Sequence, residues 1–148
     1  MGVAVRYFLA AGIAAVAVAC DLGSKALVPT PSWSFHERSP AFAAVSLGVV
    51  VVLSALCALP SRLVAVGCGL ATGGVVANLV SAARHGNRVP DPFVAGSFAF
   101  ALADVLLVLG AALLVAGLAR VAIAHRALID RHVPPRAWER RLRRRLGL

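Results

Sequence analysis

Charge is the scarcest property of this sequence. Only 14% of its 148 residues are charged, and a soluble domain of this size needs more polar residues than that to cover its surface. Tyr7–Cys20, Ala41–Ser61 and Leu63–Ala83 carry no charged residue, and Phe98–Ala119 carries only Asp104. Strict alternation of apolar and polar residues is also missing, which excludes a transmembrane β-barrel. Cysteine occurs three times, as Cys20, Cys57 and Cys68. An odd count in apolar stretches, without ligand-like spacing, excludes a disulfide scaffold and a zinc site, so no metal is expected.

Apolar residues take the place of charge, at 60% of the chain and a mean hydropathy of +0.87. A helix needs about 20 apolar residues to cross the hydrocarbon core. Four such helices are predicted, giving an all-α integral membrane protein with short outer loops and a basic cytoplasmic tail. Helix 1 runs to about Leu27, with Lys25 snorkelling to the headgroups. Helix 2 spans Phe42–Pro60, Ser61-Arg62 forms an inner turn, helix 3 spans Leu63–Ala83, and helix 4 runs from Phe98 to about Ala119. Arg6, the first apolar run and Ala19-Cys20 have the outline of a lipoprotein signal peptide. Ala17 stands where such a signal prefers a larger aliphatic residue, and three further spans follow, so the segment reads as a helix of the bundle. Trp33 and Phe35, in the loop after helix 1, suit the interface.

Arginine sets the orientation. With the first end inside, the cytoplasmic side carries eleven basic residues: Arg6, Arg62 and nine arginines from Arg120 to Arg145. The outer side carries four, Lys25, Arg38, Arg84 and Arg88, so the positive-inside bias places both ends in the cytoplasm. The net charge of +9 reflects topology and the tail, and no motif indicates nucleic acid. Residues 1–119 form the transmembrane domain and 120–148 the tail. There Trp138, Leu142 and Leu146 fall at i, i+4 and i+8, the pattern of a helix on an anionic surface, with a solvated tail as the alternative. Gly69, Gly73 and Ala77 give helix 3 a small-residue face for close packing.

Two carboxylates stand out. Counted along a helix from Phe98, Asp104 lies roughly 9 Å inside helix 4, and an ionisable group at that depth marks a functional site by default. Asp91, between Pro90 and Pro92, is biased to an extended backbone. The twelve residues between Asp91 and Asp104 can fold back and bring the two together. Paired carboxylates near low dielectric share one proton, so one can act as general base on water while the other protonates a carbonyl. Asn78, near the outer end of helix 3, is able to hydrogen-bond a substrate backbone or a neighbouring helix. Asp21 and Lys25, one turn apart, read as a structural or interfacial pair. Arg84 reads as an interfacial anchor or a substrate contact. His36 and His85 receive no role.

These pieces resemble the lipoprotein signal peptidase (signal peptidase II) family. Asp21-Leu22-Gly23-Ser24-Lys25 resembles its Asp-Gln-x-Thr-Lys. Gly73-Gly74-Val75-Val76-Ala77-Asn78-Leu79 resembles Gly-Gly-x-x-Gly-Asn-Leu, and Arg84-His85-Gly86 continues the match. Val89-Pro90-Asp91 and Phe100-Ala101-Leu102-Ala103-Asp104 resemble the two segments that carry the catalytic aspartates, and Ala41-Phe42 resembles the end of Asn-x-Gly-x-Ala-Phe. The ordered set spans Asp21 to Asp104. The chain departs from the pattern at Glu37 and Ser39, at Ser81-Ala82 in place of Asp-Arg, at Ala101 in place of asparagine, and at Pro92.

The resemblance implies an aspartic endopeptidase of the bacterial inner membrane, with a reduced extracytoplasmic β-cradle. Its substrates would be prolipoproteins whose lipobox cysteine carries diacylglycerol, so its partners are signal peptides and membrane lipid. Asp91 and Asp104 would be catalytic, Asn78 and Arg84 would bind substrate, no cofactor is needed, and a monomer is expected. Two alternatives remain open at this point: a catalytically degenerate relative that binds signal helices, and a small transporter using Asp104 as a proton relay.

Overall fold

A computed structural model describes residues 1–39 and 41–132, together with 141, 144 and 145. The tail positions Trp138, Leu142 and Leu146 lie outside the described residues. Helix α1 spans Val3–Leu27, α2 Ala41–Leu56, α3 Arg62–Arg84 and α4 Leu102–His132. Short strands lie between them: β1 (Phe35–Glu37) after α1, then β2 (Arg88–Pro90), β3 (Phe93–Ala95) and β4 (Phe98–Phe100) between α3 and α4. Helices α1 and α3 and the Leu102–Arg126 part of α4 are long and apolar enough to cross a membrane. The chain is a multi-pass membrane protein. Helix α2 is shorter, with 16 residues, a length of about 24 Å against a hydrocarbon core of about 30 Å. It gives way at Cys57 to a turn that ends at Pro60 and Ser61.

Most of α3 is buried, whereas α1 and α4 leave most of their surface open. Helix α3 packs chiefly on α4 and α1, and its small residues make that possible. A Cβ added at Gly73 would fall 2.5 Å from that of Ala17, and one at Gly69 2.7 Å from the carbonyl oxygen of Ala10. On the other side, a Cβ at Gly74 would meet the Ala103 carbonyl at 2.6 Å, and one at Gly67 the Gly110 carbonyl at 2.8 Å. So Gly69 and Gly73 seat α1 while Gly67 and Gly74 seat α4, and van der Waals packing replaces the hydrophobic drive that lipid cannot provide. Phe8, at 78% exposure, and Val108, at 72%, face outward from α1 and α4, as lipid-facing residues do.

Arg6 closes the end of the bundle away from the strands. It is buried, and its guanidinium donates from Nε to the Cys57 carbonyl at 3.2 Å and from Nη2 to that of Ala58 at 2.7 Å. These carbonyls sit where α2 ends and have no helical partners of their own. Arg6 therefore ties α1 to the end of α2.

The other end carries the strands. Helix α3 finishes in a Schellman turn, with Gly86 at φ +62° and the Asn87 N–H on the Ala82 carbonyl at 2.8 Å. Strand β1 then pairs antiparallel with β2, placing Phe35 opposite Pro90 and His36 opposite Val89. Strands β3 and β4 form a hairpin about Gly96-Ser97, with Gly96 at φ +62°. The expected helix over Phe98–Phe100 is thus corrected. A Gly-Ser pair between Phe93-Val94-Ala95 and Phe98-Ala99-Phe100 is a two-residue hairpin signal, and it outweighs the apolar run that suggested helix. Helix α4 starts later than expected and continues past Ala119 to His132. Helix 2 stops at Leu56, four residues before the expected Pro60.

Candidate functional site

The first turn of α4 anchors the site. Ala101 occupies the position before the helix and has no side-chain acceptor to offer the free N–H groups of the turn. Two aspartates supply what it lacks. Asp104 reaches back so that its Oδ2 accepts the Ala101 N–H at 2.9 Å, which is half of a capping box. Asp21, from α1, accepts the Ala103 N–H on Oδ1 at 2.7 Å. Both place negative charge where the helix dipole favours it.

Asp104 consequently lies in the first turn of α4 and is half-buried. The expected depth of about 9 Å, counted as helix from Phe98, is corrected, because the three residues before Ala101 are strand.

Asp21 and Lys25 form an ion pair, with Nζ 2.7 Å from Oδ2. The pair is buried beneath the site, with the Asp21 side chain fully covered and that of Lys25 5% exposed. Lys25 also donates to Asn78 Oδ1 at 3.0 Å and to Ser81 Oγ at 3.2 Å. Ser81 thus holds the lysine, although it stands where the resembled pattern has an aspartate. Asn78, buried in α3, turns its Nδ2 toward Asp104 Oδ1 at 3.5 Å. One polar chain therefore runs from α1 through α3 to Asp104.

Asp91 arrives from the strand side. Its N–H donates to the Ser34 carbonyl at 3.2 Å, which extends the β1–β2 pairing by one step and holds the residue against the bundle. The residue is 3% exposed. Burial pushes its carboxyl above the ordinary value, and repulsion from Asp104 pushes it further, while His36 and Lys25 oppose both. Asp104 is thus one of the charges that act on Asp91. Asp91 Oδ2 lies 2.5 Å from His36 Nδ1, whereas its Oδ1 is buried with no hydrogen-bond partner among the described residues.

The structure thus brings together Asp91, Asp104, Asn78, Lys25 and Asp21. Arg84 stands apart: it is exposed, makes no hydrogen bond or ion pair among the described residues, and lines a small recess with Leu22, Lys25, Ser81 and His85. Glu37 is exposed on β1, in register with Arg88. Sequence reasoning missed His36. The available signal was the alternation of strand residues, which puts a residue opposite Val89 on the same face as Asp91, but it depends on a register that no local pattern announces.

Asp104 also lines an apolar groove along α4, of about 490 Å³, with Phe100, Val105, Val108, Leu109 and Ala112. A second apolar groove, of about 530 Å³, lies over α1 between Phe8, Ile13, Val16 and Cys20 on one side and Leu70 and Leu106 on the other. Among the described residues no group of three or more histidine, cysteine or acidic side chains is placed to hold a metal ion.

No curated protein and no solved structure matches the chain. The sequence model of the signal peptidase (SPase) II family matches residues 30–120. That stretch is well over half of the 148 residues and takes in the strands, Asn78, Asp91 and Asp104, and the chain belongs to that family.

Proposed function

We propose that the protein is an aspartic endopeptidase of the bacterial inner membrane that removes signal peptides from diacylglyceryl-modified prolipoproteins. The observation that supports this reading is Asp104 lining an apolar groove, with the buried Asp91 pushed up in part by the charge of Asp104, in a chain of the signal peptidase II family. Asp91 is the member that favours its proton, since burial and Asp104 both disfavour its charge. Asp104 accepts the Ala101 N–H and faces the Asn78 amide, and with the shared proton on Asp91 it is the member left to act as base.

The chemistry follows from that asymmetry. Ionised Asp104 takes a proton from water as the water oxygen attacks the scissile carbonyl, and Asp91 gives its proton to the carbonyl oxygen. The tetrahedral intermediate then breaks its C–N bond as Asp104 gives the proton it took from water to the leaving amine and Asp91 takes one back from a hydroxyl of the intermediate, which leaves the product carboxyl and restores the pair. The signal helix lies along the apolar groove of α4, so that its peptide bond before the lipid-bearing cysteine meets Asp104 at the upper end.

The topology completes the reading. Helix α2 also crosses, its span finished by the turn from Cys57 to Pro60, both ends lie in the cytoplasm, and the strands cover the outer face. The protein acts as a monomer. Asn78 holds substrate or orients Asp104, and Arg84, exposed at the same end, meets substrate or headgroups.

The test is cleavage of a diacylglyceryl-modified prolipoprotein by the purified protein in detergent, followed by mass, with Asp91→Asn and Asp104→Asn alongside. Cleavage abolished by both substitutions supports the dyad. A folded native protein that cleaves nothing under conditions where an ordinary family member works overturns the reading.

A further inference from the structure

His36 lies fifty-five residues from Asp91 in the chain and is half-exposed, at 52%, whereas the Asp91 side chain is 5% exposed. An exposed strand histidine ordinarily belongs to solvent. Here its ring nitrogen is directed at a covered carboxylate. The register explains the aim: His36 is opposite Val89, and side-chain alternation returns the same face two residues on, at Asp91. The Asp91 N–H on the Ser34 carbonyl prevents that corner from slipping.

The two oxygens of Asp91 are left unlike. Oδ2 is taken by His36 Nδ1, and Oδ1 is covered without a partner among the described residues. A buried carboxylate oxygen with no donor is costly and rare, and it suits an atom reserved for something that arrives. We propose that His36 is a positioning residue for the peptidase reaction, clamping Oδ2 of Asp91 so that Oδ1 is the oxygen presented to water and the scissile carbonyl. The proposal rests on the aspartic-dyad reading above.

The clamp has an electrostatic side. When Asp91 is ionised, Nδ1–H of His36 donates to Oδ2. When Asp91 holds its proton, that proton sits on Oδ1, and the same Nδ1–H still donates to Oδ2. The charged groups that act on Asp91 are Asp104 from α4, His36 from β1 and Lys25 from α1; α3 contributes neutral Asn78, beside Asp104, and β3 and β4 carry no titratable residue. His36 opposes the upward push of burial and of Asp104. Its removal therefore raises the pH at which the pair loses its last proton.

Two measurements test this, with His36→Ala and His36→Asn, whose amide stands where Nδ1 does. In the cleavage assay, His36→Ala lowers kcat by roughly ten-fold with little change in KM, and moves the high-pH limb of the profile up by roughly one pH unit. His36→Asn recovers most of kcat. A limb that stays in place overturns the proposal, because a merely structural loss lowers the plateau without moving it. The second measurement needs no activity: an infrared pH titration of the carboxyl band that Asp91→Asn removes. An upward midpoint in His36→Ala upholds the clamp even if the native protein cleaves nothing, in which case only the peptidase reading falls. An unmoved midpoint overturns the clamp whether or not cleavage occurs.

Discussion

Neutralising Asp21 separates two jobs that one buried side chain performs. Asp21 Oδ1 accepts the Ala103 N–H at 2.7 Å and Oδ2 pairs with Lys25 Nζ at 2.7 Å. Asp21→Asn keeps an acceptor for the helix turn but deletes the charge that faces Lys25. Among the described residues the lysine is then held by neutral Asn78 and Ser81. Breaking one side of a buried ion pair costs about 3–5 kcal/mol, because the remaining charge stays desolvated. Lys25→Met strands Asp21 and costs a similar amount. The double variant leaves no stranded charge, so its cost falls to about 2 kcal/mol or less, since apolar replacement of a buried pair is often near neutral. The single costs therefore exceed the double by several kcal/mol. Reversible unfolding of all four proteins in mixed micelles, followed by circular dichroism, gives the cycle. A coupling of about 0.5 kcal/mol or less, the size seen for independent sites, would refute the claim that Asp21 and Lys25 act as one buried unit.

Four other outcomes follow from the same contacts. Gly74→Ala places a Cβ 2.6 Å from the Ala103 carbonyl, so α4 must move away; a loss of about 1–3 kcal/mol is expected, and a thermal midpoint equal to that of the native protein would contradict it. Arg6→Ala removes the donors on Cys57 and Ala58 at about 1.5–3 kcal/mol, and the loosened turn lets a maleimide reach the buried Cys57 thiol faster than in the native protein. Because the folded-state carboxyl of Asp91 titrates above its ordinary value, its stabilising contribution is full below that value and is lost as pH rises through the folded one; midpoint-against-pH curves of native and Asp91→Asn proteins therefore diverge across that window, and parallel curves would count against it. Ser97→Cys, in a background lacking Cys20, Cys57 and Cys68, is labelled from outside intact cells by an impermeant maleimide; labelling only after lysis would reverse the proposed topology.

The apolar stretches made the three long helices legible, since length and absence of charge are nearly all that a membrane span requires. The small-residue stripe also read correctly as a packing face, yet only half of it was visible. Gly69 and Gly73 fall on one repeat, while Gly67 and Gly74 serve a second helix and look unrelated in sequence. Strand was harder to see. Phe98-Ala99-Phe100 continues the apolar run of α4 without a break in hydropathy, and the turn chemistry of Gly96-Ser97 alone separates them. The pairing of Asp21 with Lys25 was legible from their spacing, but its burial was not, because the cover comes from α3 and α4. His36 needed the β1–β2 register, a relation between residues about fifty positions apart.

Burial of Asp21 explains why Asp104 holds its position although Ala101 offers no side chain. Capping α4 would ordinarily fall to the residue before the helix. Here the Ala101 N–H is taken by Asp104 itself, and the next free donor, on Ala103, is taken by Asp21. Asp104 is thereby fixed at both ends of its turn, and its second oxygen is left to the Asn78 amide. Asp91 is fixed differently, by a strand and a histidine, and one of its oxygens has no hydrogen-bond partner among the described residues. Two carboxylates of the same chemistry therefore meet unlike surroundings, Asp104 between two N–H donors and Asp91 covered beside one histidine. It follows that supplying a donor to Oδ1 of Asp91 should erase the asymmetry more effectively than weakening any contact of Asp104.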